Sequence, residues 1–265
     1  MKVGWIGLGK MGEPFALQVL KGGHQLIGHS RGGKPRPAMT AAGAKITDSL
    51  QETVRGAEVV GACLFDDAQV KSVLIDSGVL QAMAPGAVLA LHTTGVPAVV
   101  EALAAAARPG VAVLDATFSG TDADAAAGRI RLYVGGDGDA LERARPVLST
   151  YCSPIFHLGE IGAARRLKLI NNLMFSAQIA LAAEGLRAVA KMGLPKDVAL
   201  DALSQSSGGS YALNTFRNGE VDAIVARLAH YLDKDVDAAR QSARSEGLSL
   251  KLLDAAAAQW ALPKA

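Results

Sequence analysis

The chain has 265 residues, half of them hydrophobic and 20% charged, with a formal net charge of +2. That length can bury a core and suits one or two domains, while the charge is too small to suggest a nucleic-acid surface and no Lys/Arg run stands out. Cys63 and Cys152 make neither metal-type nor disulfide-framework spacing, so a reducing cytosol is expected.

Strand pattern starts at Lys2, so no signal peptide is expected. Apolar runs such as 96–107 are broken by Pro97 and Glu101, so no membrane span is expected. Residues 3–7 read as a strand that enters Gly7-Leu8-Gly9-Lys10-Met11-Gly12, and residues 14–20 continue as helix. This is G-x-G-x-x-G between a strand and a helix, the context that a dinucleotide site requires. Gly7 permits the tight turn, Gly9 lets the backbone approach a pyrophosphate, and Gly12 lets helix pack on strand. The helix N-terminus then offers N–H groups to the phosphates.

Residues 25–29 read as the second strand. It ends in His29-Ser30-Arg31-Gly32-Gly33-Lys34, with no acid to meet a ribose 2′-hydroxyl. Arg31 and Lys34, with a hydroxyl from Ser30, suit a 2′-phosphate and favour NADP over NAD; a solvated basic loop is the alternative. Strands at 59–64, 88–91 and 111–116 alternate with helices at 66–74 and 97–107, as an α/β fold does. Their continuous apolar runs suit a parallel sheet covered on both faces. Phe65, Thr94 and the loop 115–122 fall at the carboxyl ends of these strands, where such sheets bind ligands. Within that loop, Ser119, Gly120 and Thr121 could offer donors to a carboxylate; an ordinary turn is the alternative. Residues 130–134 form a further strand. The run from Gly135 to Asp139 lacks the calcium-loop pattern and reads as a turn capping a helix that ends near Leu148. A last strand is expected at 154–158.

Residues 162–193 contain no proline and predict one helix of roughly 45 Å, closed by Gly193 and Pro195. Leu167, Ile170, Met174, Ala177 and Leu181 recur at helical spacing as an apolar stripe, and a helix this apolar is expected to be buried between two domains. Lys168 stands out. A lysine in the first turns of an apolar helix, with Asn172 at i+4, suits a general acid/base; a lysine snorkelling to water is the alternative. Beyond Pro195 the chain reads as helix at 196–204, 221–232 and 236–259, with a loop at 206–210 and a turn at Asn218-Gly219.

The runs GLGKMG at Gly7, DATFSG at Asp115, GAARRLKLINN at Gly162 and the pair Lys234-Asp235 follow one another at characteristic spacing. In these motifs the chain resembles the β-hydroxyacid dehydrogenase family, which contains 3-hydroxyisobutyrate dehydrogenase and tartronate semialdehyde reductase and is related to 6-phosphogluconate dehydrogenase. The resemblance implies an α/β fold: an N-terminal Rossmann domain with a mostly parallel, doubly wound sheet (1–160), and an all-α C-terminal domain (161–265), joined by a long interdomain helix, with the active site in the cleft. It implies that the glycine loop (Gly7, Gly9, Lys10, Met11, Gly12), Ser30, Arg31, Leu64, Phe65 and Thr94 hold the cofactor, and that Lys234 lies beside the nicotinamide. Ser119 and Gly120, with Thr121 next to them, are implied for the substrate carboxylate. Lys168 becomes the general acid/base and Asn172 orients the substrate.

The function so implied is NADP-dependent hydride transfer to or from a small β-hydroxy acid or semialdehyde, in a cytoplasmic homodimer or homotetramer. Two alternatives remain: an imine reductase-like enzyme, a group that generally lacks the lysine, and a non-catalytic dinucleotide-binding protein. Thr121, Phe118, Ala164 and the Leu91-His92 pair depart from the family pattern, and residues 206–227 form a shorter segment than is usual.

Overall fold

The computed structural model describes residues 1–259, apart from the side chains of residues 230, 231 and 234. The chain forms two compact units, Met1–Lys168 and Leu169–Ala265. The division falls inside the long helix, rather than ahead of it.

The first unit alternates strand and helix. β1 (Lys2–Ile6), α1 (Gly12–Lys21) and β2 (Gln25–His29) open it. Three short elements follow that the apolar pattern does not announce: α2 (Pro37–Ala41), β3 (Lys45–Thr47) and α3 (Leu50–Val54). Then come β4 (Val59–Ala62), α4 (Asp67–Val70), α5 (Val79–Ala82), β5 (Val88–Leu91), α6 (Pro97–Ala106) and β6 (Ala112–Ser119). The unit closes with α7 (Asp122–Ala126), β7 (Ile130–Gly135), α8 (Gly138–Leu148) and β8 (Cys152–His157).

Among the described residues, all eight strands join one sheet in the order β3-β2-β1-β4-β5-β6-β7-β8. Neighbours are parallel except β6 and β7, which run antiparallel. The order reverses between β1 and β4, which creates the crevice where such sheets bind ligands. Alternate residues supply two cores, because strand side chains point to opposite faces. Val3, Trp5, Val59, Val88, Ala90 and Leu114 bury on one face, and Ile6, Val60, Ala62, Leu89, Leu91 and Val113 on the other.

β6 is longer than the apolar run suggests. It extends to Ser119, so most of the expected loop 115–122 is strand, paired residue by residue with β7 from Asp115↔Gly135 to Ser119↔Arg131. Partnering by β7 overrides the weak strand pattern of Asp115-Ala-Thr-Phe-Ser.

An aromatic cluster fills the first face beneath the β1 turn. His92 stacks on Trp5 at 5.8 Å, Tyr151 stacks on Phe15 at 4.8 Å, and Phe118 meets Phe15 edge-on at 5.2 Å. Phe118 is thereby used in packing. His92 Nδ1 lies 2.7 Å from the Ala116 carbonyl oxygen, and Nε2 lies 3.0 Å from the Tyr151 hydroxyl. Both contacts suit a neutral ring that donates at Nδ1 and accepts at Nε2.

α9 (Ala163–Lys191) carries the chain into the second unit, followed by α10 (Lys196–Ser204), α11 (Tyr211–Asn214), α12 (Val221–Ser245) and α13 (Lys251–Ala258). Gly193 ends α9 in the left-handed conformation, φ 72°, and Leu194 N–H donates to the Val189 carbonyl, the closure that glycine favours. The stripe expected to be buried is only partly so: Ala177 is buried and Ile170 half-buried, but its three larger members are not. Leu167, Met174 and Leu181 are 39, 45 and 64% exposed. Leu169, Leu173, Ile179, Ala183 and Leu186 face inward instead. The first two pack with Val236, Ala239 and Ala257, and the others with Leu200, Leu213, Phe216 and Val225. α9 is apolar on both sides, so periodicity marks two faces and packing selects one. Among the described residues it is the one helix long and apolar enough to cross a bilayer, yet 44% of that window is buried against the rest of the chain. The two helices expected at 221–232 and 236–259 also differ from those observed. α12 runs unbroken through Lys234-Asp235 and stops at Glu246-Gly247, where Gly247 has φ 66°.

Burial pushes the His92 imidazole down from its ordinary 6.5 to about 4. The folded state therefore holds it neutral, and this stabilisation is lost as pH falls from 6.5 toward 4. Acid-unfolding curves of the wild type and His92→Phe should converge over that window, the wild type losing up to ~3 kcal/mol relative to the variant. The comparison cancels the opposite contribution of Asp115, whose raised pKa is common to both proteins.

Candidate active site

The glycine loop leaves β1 at the sheet's switch point, and each glycine has a distinct steric reason. Gly7 has φ 94°, and a Cβ there would lie 2.1 Å from the Cys63 carbonyl oxygen at the end of β4. At Gly12 a Cβ would lie 1.9 Å from the Gly7 carbonyl oxygen and 3.0 Å from Trp5 Nε1, so only glycine lets α1 pack on β1. At Gly9 nothing lies within 4 Å of a built Cβ. The backbone there faces open space, the cradle that a pyrophosphate needs at the N-terminus of a helix. Lys10 Nζ lies 3.5 Å from Asp122 Oδ2, bridging the loop to α7, and Met11 packs on the first core.

At the end of β2, Ser30 is buried; its hydroxyl donates to the Lys34 carbonyl at 2.9 Å and closes a tight turn. Arg31 and Lys34 project from that turn, exposed. Arg36 instead pairs with Glu13 at 3.0 Å. The loops after β4 and β5 are joined to each other. Leu64 N–H donates to Thr93 Oγ1 at 2.9 Å, and Phe65 is 66% exposed on the same edge. Thr94 follows, half-buried.

Beyond β6, Gly120 has φ 145°, and a Cβ there would strike Ile130 at 2.5 Å. Thr121 caps α7. Its hydroxyl donates to Asp124 Oδ2 at 2.8 Å and accepts from Asp124 N–H at 3.2 Å. A ligand reaching the Thr121 side chain competes with that capping box, while Ser119 and the Gly120 backbone lie just ahead of it.

The start of α9 is anchored to β6. The buried carboxylate of Asp115 accepts the Arg165 N–H at 2.8 Å, and Thr117 Oγ1 donates to the Ala164 carbonyl at 3.0 Å. Burial raises the Asp115 carboxyl to about 6, against the pull of the Arg165 N–H and guanidinium. Lys168 follows one turn on, half-buried. Asn172 is 4% exposed; its Nδ2 donates to Asp235 Oδ2 at 2.7 Å and its Oδ1 accepts from Asn171 at 3.1 Å. The Lys234 side chain lies outside the described residues.

Two residues go unsignalled in the sequence reading. Arg165 is fully buried, and its Nη1 donates to Asp67 Oδ1 and to the Val96 carbonyl, both at 2.8 Å. The signal for it was a second basic residue ahead of Lys168 in an apolar helix. For Asp67 it was a doubled aspartate where Asp66 suffices as helix cap. Among the described residues, no group of three or more His, Cys, Asp or Glu could hold a metal ion.

A doubly wound sheet with a glycine turn shaped this way at its switch point defines a dinucleotide-binding protein. Residues 2–159 match the family described as the NAD binding domain of 6-phosphogluconate dehydrogenase, and residues 162–265 match that described as NAD-binding of NADP-dependent 3-hydroxyisobutyrate dehydrogenase. The chain belongs to the β-hydroxyacid dehydrogenase family. It is 33% identical to an NAD-dependent L-serine dehydrogenase of Pseudomonas aeruginosa, over 94% of this chain and 87% of that one. It is 36% identical to a 3-hydroxyisobutyrate dehydrogenase of the same organism, over 81% and 72%. A solved 3-hydroxyisobutyrate dehydrogenase of Mycobacterium tuberculosis with L-serine superposes with a TM-score of 0.85 at 28% identity, over 98% and 92%. An imine reductase of Myxococcus stipitatus, at 18% identity and TM-score 0.63, shares the fold.

Gly9→Ala should leave the chain folded with an unchanged melting temperature but weaken cofactor binding at least roughly tenfold, the equivalent of about 1.4 kcal/mol. Gly7→Ala should fail to reach the native fold, since its Cβ meets backbone and its φ is left-handed. Circular dichroism and reduced-cofactor fluorescence distinguish the two.

Proposed function

We propose that the chain is an NADP-dependent dehydrogenase of a small acid carrying a hydroxyl β to its carboxylate, working reversibly with the semialdehyde. The observation that carries the reading is the pairing of an open glycine cradle on β1 with a half-buried Lys168 on a helix anchored to β6. The compounds in the names of its relatives, L-serine, 3-hydroxyisobutyrate and 2-(hydroxymethyl)glutarate, share a hydroxymethyl carbon one atom from a carboxylate.

In this reading the glycine loop with Lys10 and Met11 holds the pyrophosphate. Ser30 shapes the turn from which Arg31 and Lys34 meet a 2′-phosphate as charge-assisted donors. Leu64, Phe65 and Thr94 line the nicotinamide end, and the family resemblance adds Lys234 to the cofactor residues. When bound, the cofactor accepts or returns a hydride at C4 of its nicotinamide. Ser119 and the Gly120–Thr121 backbone hold the substrate carboxylate. Lys168 accepts the hydroxyl proton as the C–H bond breaks and gives it back in the reverse direction. Asn172, locked by Asp235, presents its amide to the substrate oxygen. In this reading residues 1–160 serve the cofactor and 161–265 form the helical part, although the compact units divide at Lys168.

A second copy of this chain is the natural cover for the apolar face of α9. Exposed Leu181 lines, with Ala182, Gly185, Leu186 and Leu203, a recess of about 250 Å³ on this surface. A twofold interface sets one such apolar patch against its own copy. A cytoplasmic location goes with this reading.

Lys168→Ala should lower kcat by ~10²–10⁴-fold while leaving the dissociation constant for NADPH unchanged; retained turnover would remove the lysine from the mechanism. Arg31→Ala should raise KM for NADPH roughly tenfold or more and leave KM for NADH unaltered. Leu181→Glu should shift the sedimentation profile toward monomer, and an unchanged profile would move the interface elsewhere.

A further inference from the structure

Arg165 holds an unusual place: a guanidinium with no exposure at the start of an apolar helix. Its Nη1 reaches two separate segments, Asp67 Oδ1 at the start of α4 and the Val96 carbonyl ahead of α6. These segments close on each other, since Val96 N–H donates to Asp67 Oδ2 at 2.9 Å. The fit is tight enough that a Cβ on Gly95 would lie 2.0 Å from the Asp67 carboxylate. Behind the guanidinium, Nε lies 3.7 Å from Asp115 Oδ1, an ion-pair distance without a hydrogen bond, and Nε and Nη2 are buried with no other partner.

Packing alone does not call for such a residue. Well-packed apolar side chains of similar volume stabilise as much as a buried ion pair or more. What the arginine adds is geometry. One planar fork fixes the directions of an acceptor on each of two loops, which a lysine, a rotatable point charge, does not. Those loops are the ones carrying Leu64, Phe65 and Thr94. Arg165 also stands three residues before Lys168, on the adjacent turn of one rigid helix.

We propose that Arg165 and Asp67 form a latch that sets the position of the loops after β4 and β5 against the start of α9, and are positioning residues for hydride transfer. The proposal rests on the reading that these loops hold the nicotinamide end of the cofactor. It extends the site beyond the residues that touch ligand to an ion pair beneath them.

The test is Asp67→Asn, at a carboxylate with 27% side-chain exposure. The amide keeps the shape but cannot accept both the Arg165 and Val96 N–H groups. Binding of NADPH is followed by its fluorescence, beside Phe65→Ala, Thr94→Ala and the Asp67→Asn/Phe65→Ala double variant. Asp67→Asn should raise the NADPH dissociation constant about tenfold, an ordinary size for coupling between separated groups. The double variant should lose less than the sum of the two singles, since both act through one loop. Arg165→Lys should behave like Asp67→Asn despite its retained charge. If Asp67→Asn lowers only the melting temperature while Phe65→Ala and Thr94→Ala weaken binding, the pair is structural and the latch is overturned. If neither Phe65→Ala nor Thr94→Ala affects binding, the loop assignment itself fails and the latch with it. Should Asp67→Asn not fold, Asp67→Glu carries the same test, because the longer carboxylate keeps its charge but cannot keep both hydrogen bonds.

Discussion

The carboxylate of Asp115 is the point from which the start of α9 hangs. It sits at the heart of the sheet on β6, fully buried, and receives the Arg165 N–H at the first turn of the helix. A negative charge suits a helix N-terminus, where unpaired N–H groups carry partial positive charge. Burial nevertheless works against it, raising the carboxyl from its ordinary 3.8 to about 6. With the folded value above the unfolded one, the ionised group disfavours folding at neutral pH and the cost is relieved as pH falls from 6 toward 3.8. A group kept at a cost to stability points to a use for the geometry it imposes. Here that geometry includes the place of Lys168.

The glycine turn obeys the same logic of close approach. Gly7 brings the chain against the end of β4, Gly12 brings α1 against the turn, and Gly9 leaves its outer side open. Beneath the turn, the cluster of Trp5, Phe15, His92, Phe118 and Tyr151 fills the space that closely packed backbones leave. His92 and Phe118, departures when read as motif positions, belong to this core. Their physical role is to satisfy each other's shape and, for His92, both ring nitrogens.

Much of the candidate site could be named from the sequence because its residues lie in local motifs. The G-x-G-x-x-G turn depends on the bulk of three residues and on the elements beside them, all visible along the chain. The basic turn at Arg31 and Lys34 is likewise a local feature, and Ser30 proves to be its clasp. Arg165 and Asp67 were not legible, since their meaning lies in a contact spanning about a hundred residues. The α9 stripe was misread for a related reason. Leu167, Met174 and Leu181 are as periodic as Leu169, Leu173 and Leu186, and a helix with two apolar faces does not say which of them its neighbours cover.

By itself, the sequence determined the alternation of strand and helix, the dinucleotide turn, the helical second half and the candidate lysine, because periodicity and steric demand are properties of adjacent residues. The tertiary structure alone decided that β6 continues to Ser119, since β7 supplies the partner that its own residues do not call for. It alone decided which face of α9 is buried, and it alone joined Asp67, Val96, Asp115 and Arg165 beneath the proposed nicotinamide loops. Those choices rest on hydrogen-bond partners and packing surfaces that are brought together only when distant segments fold against one another.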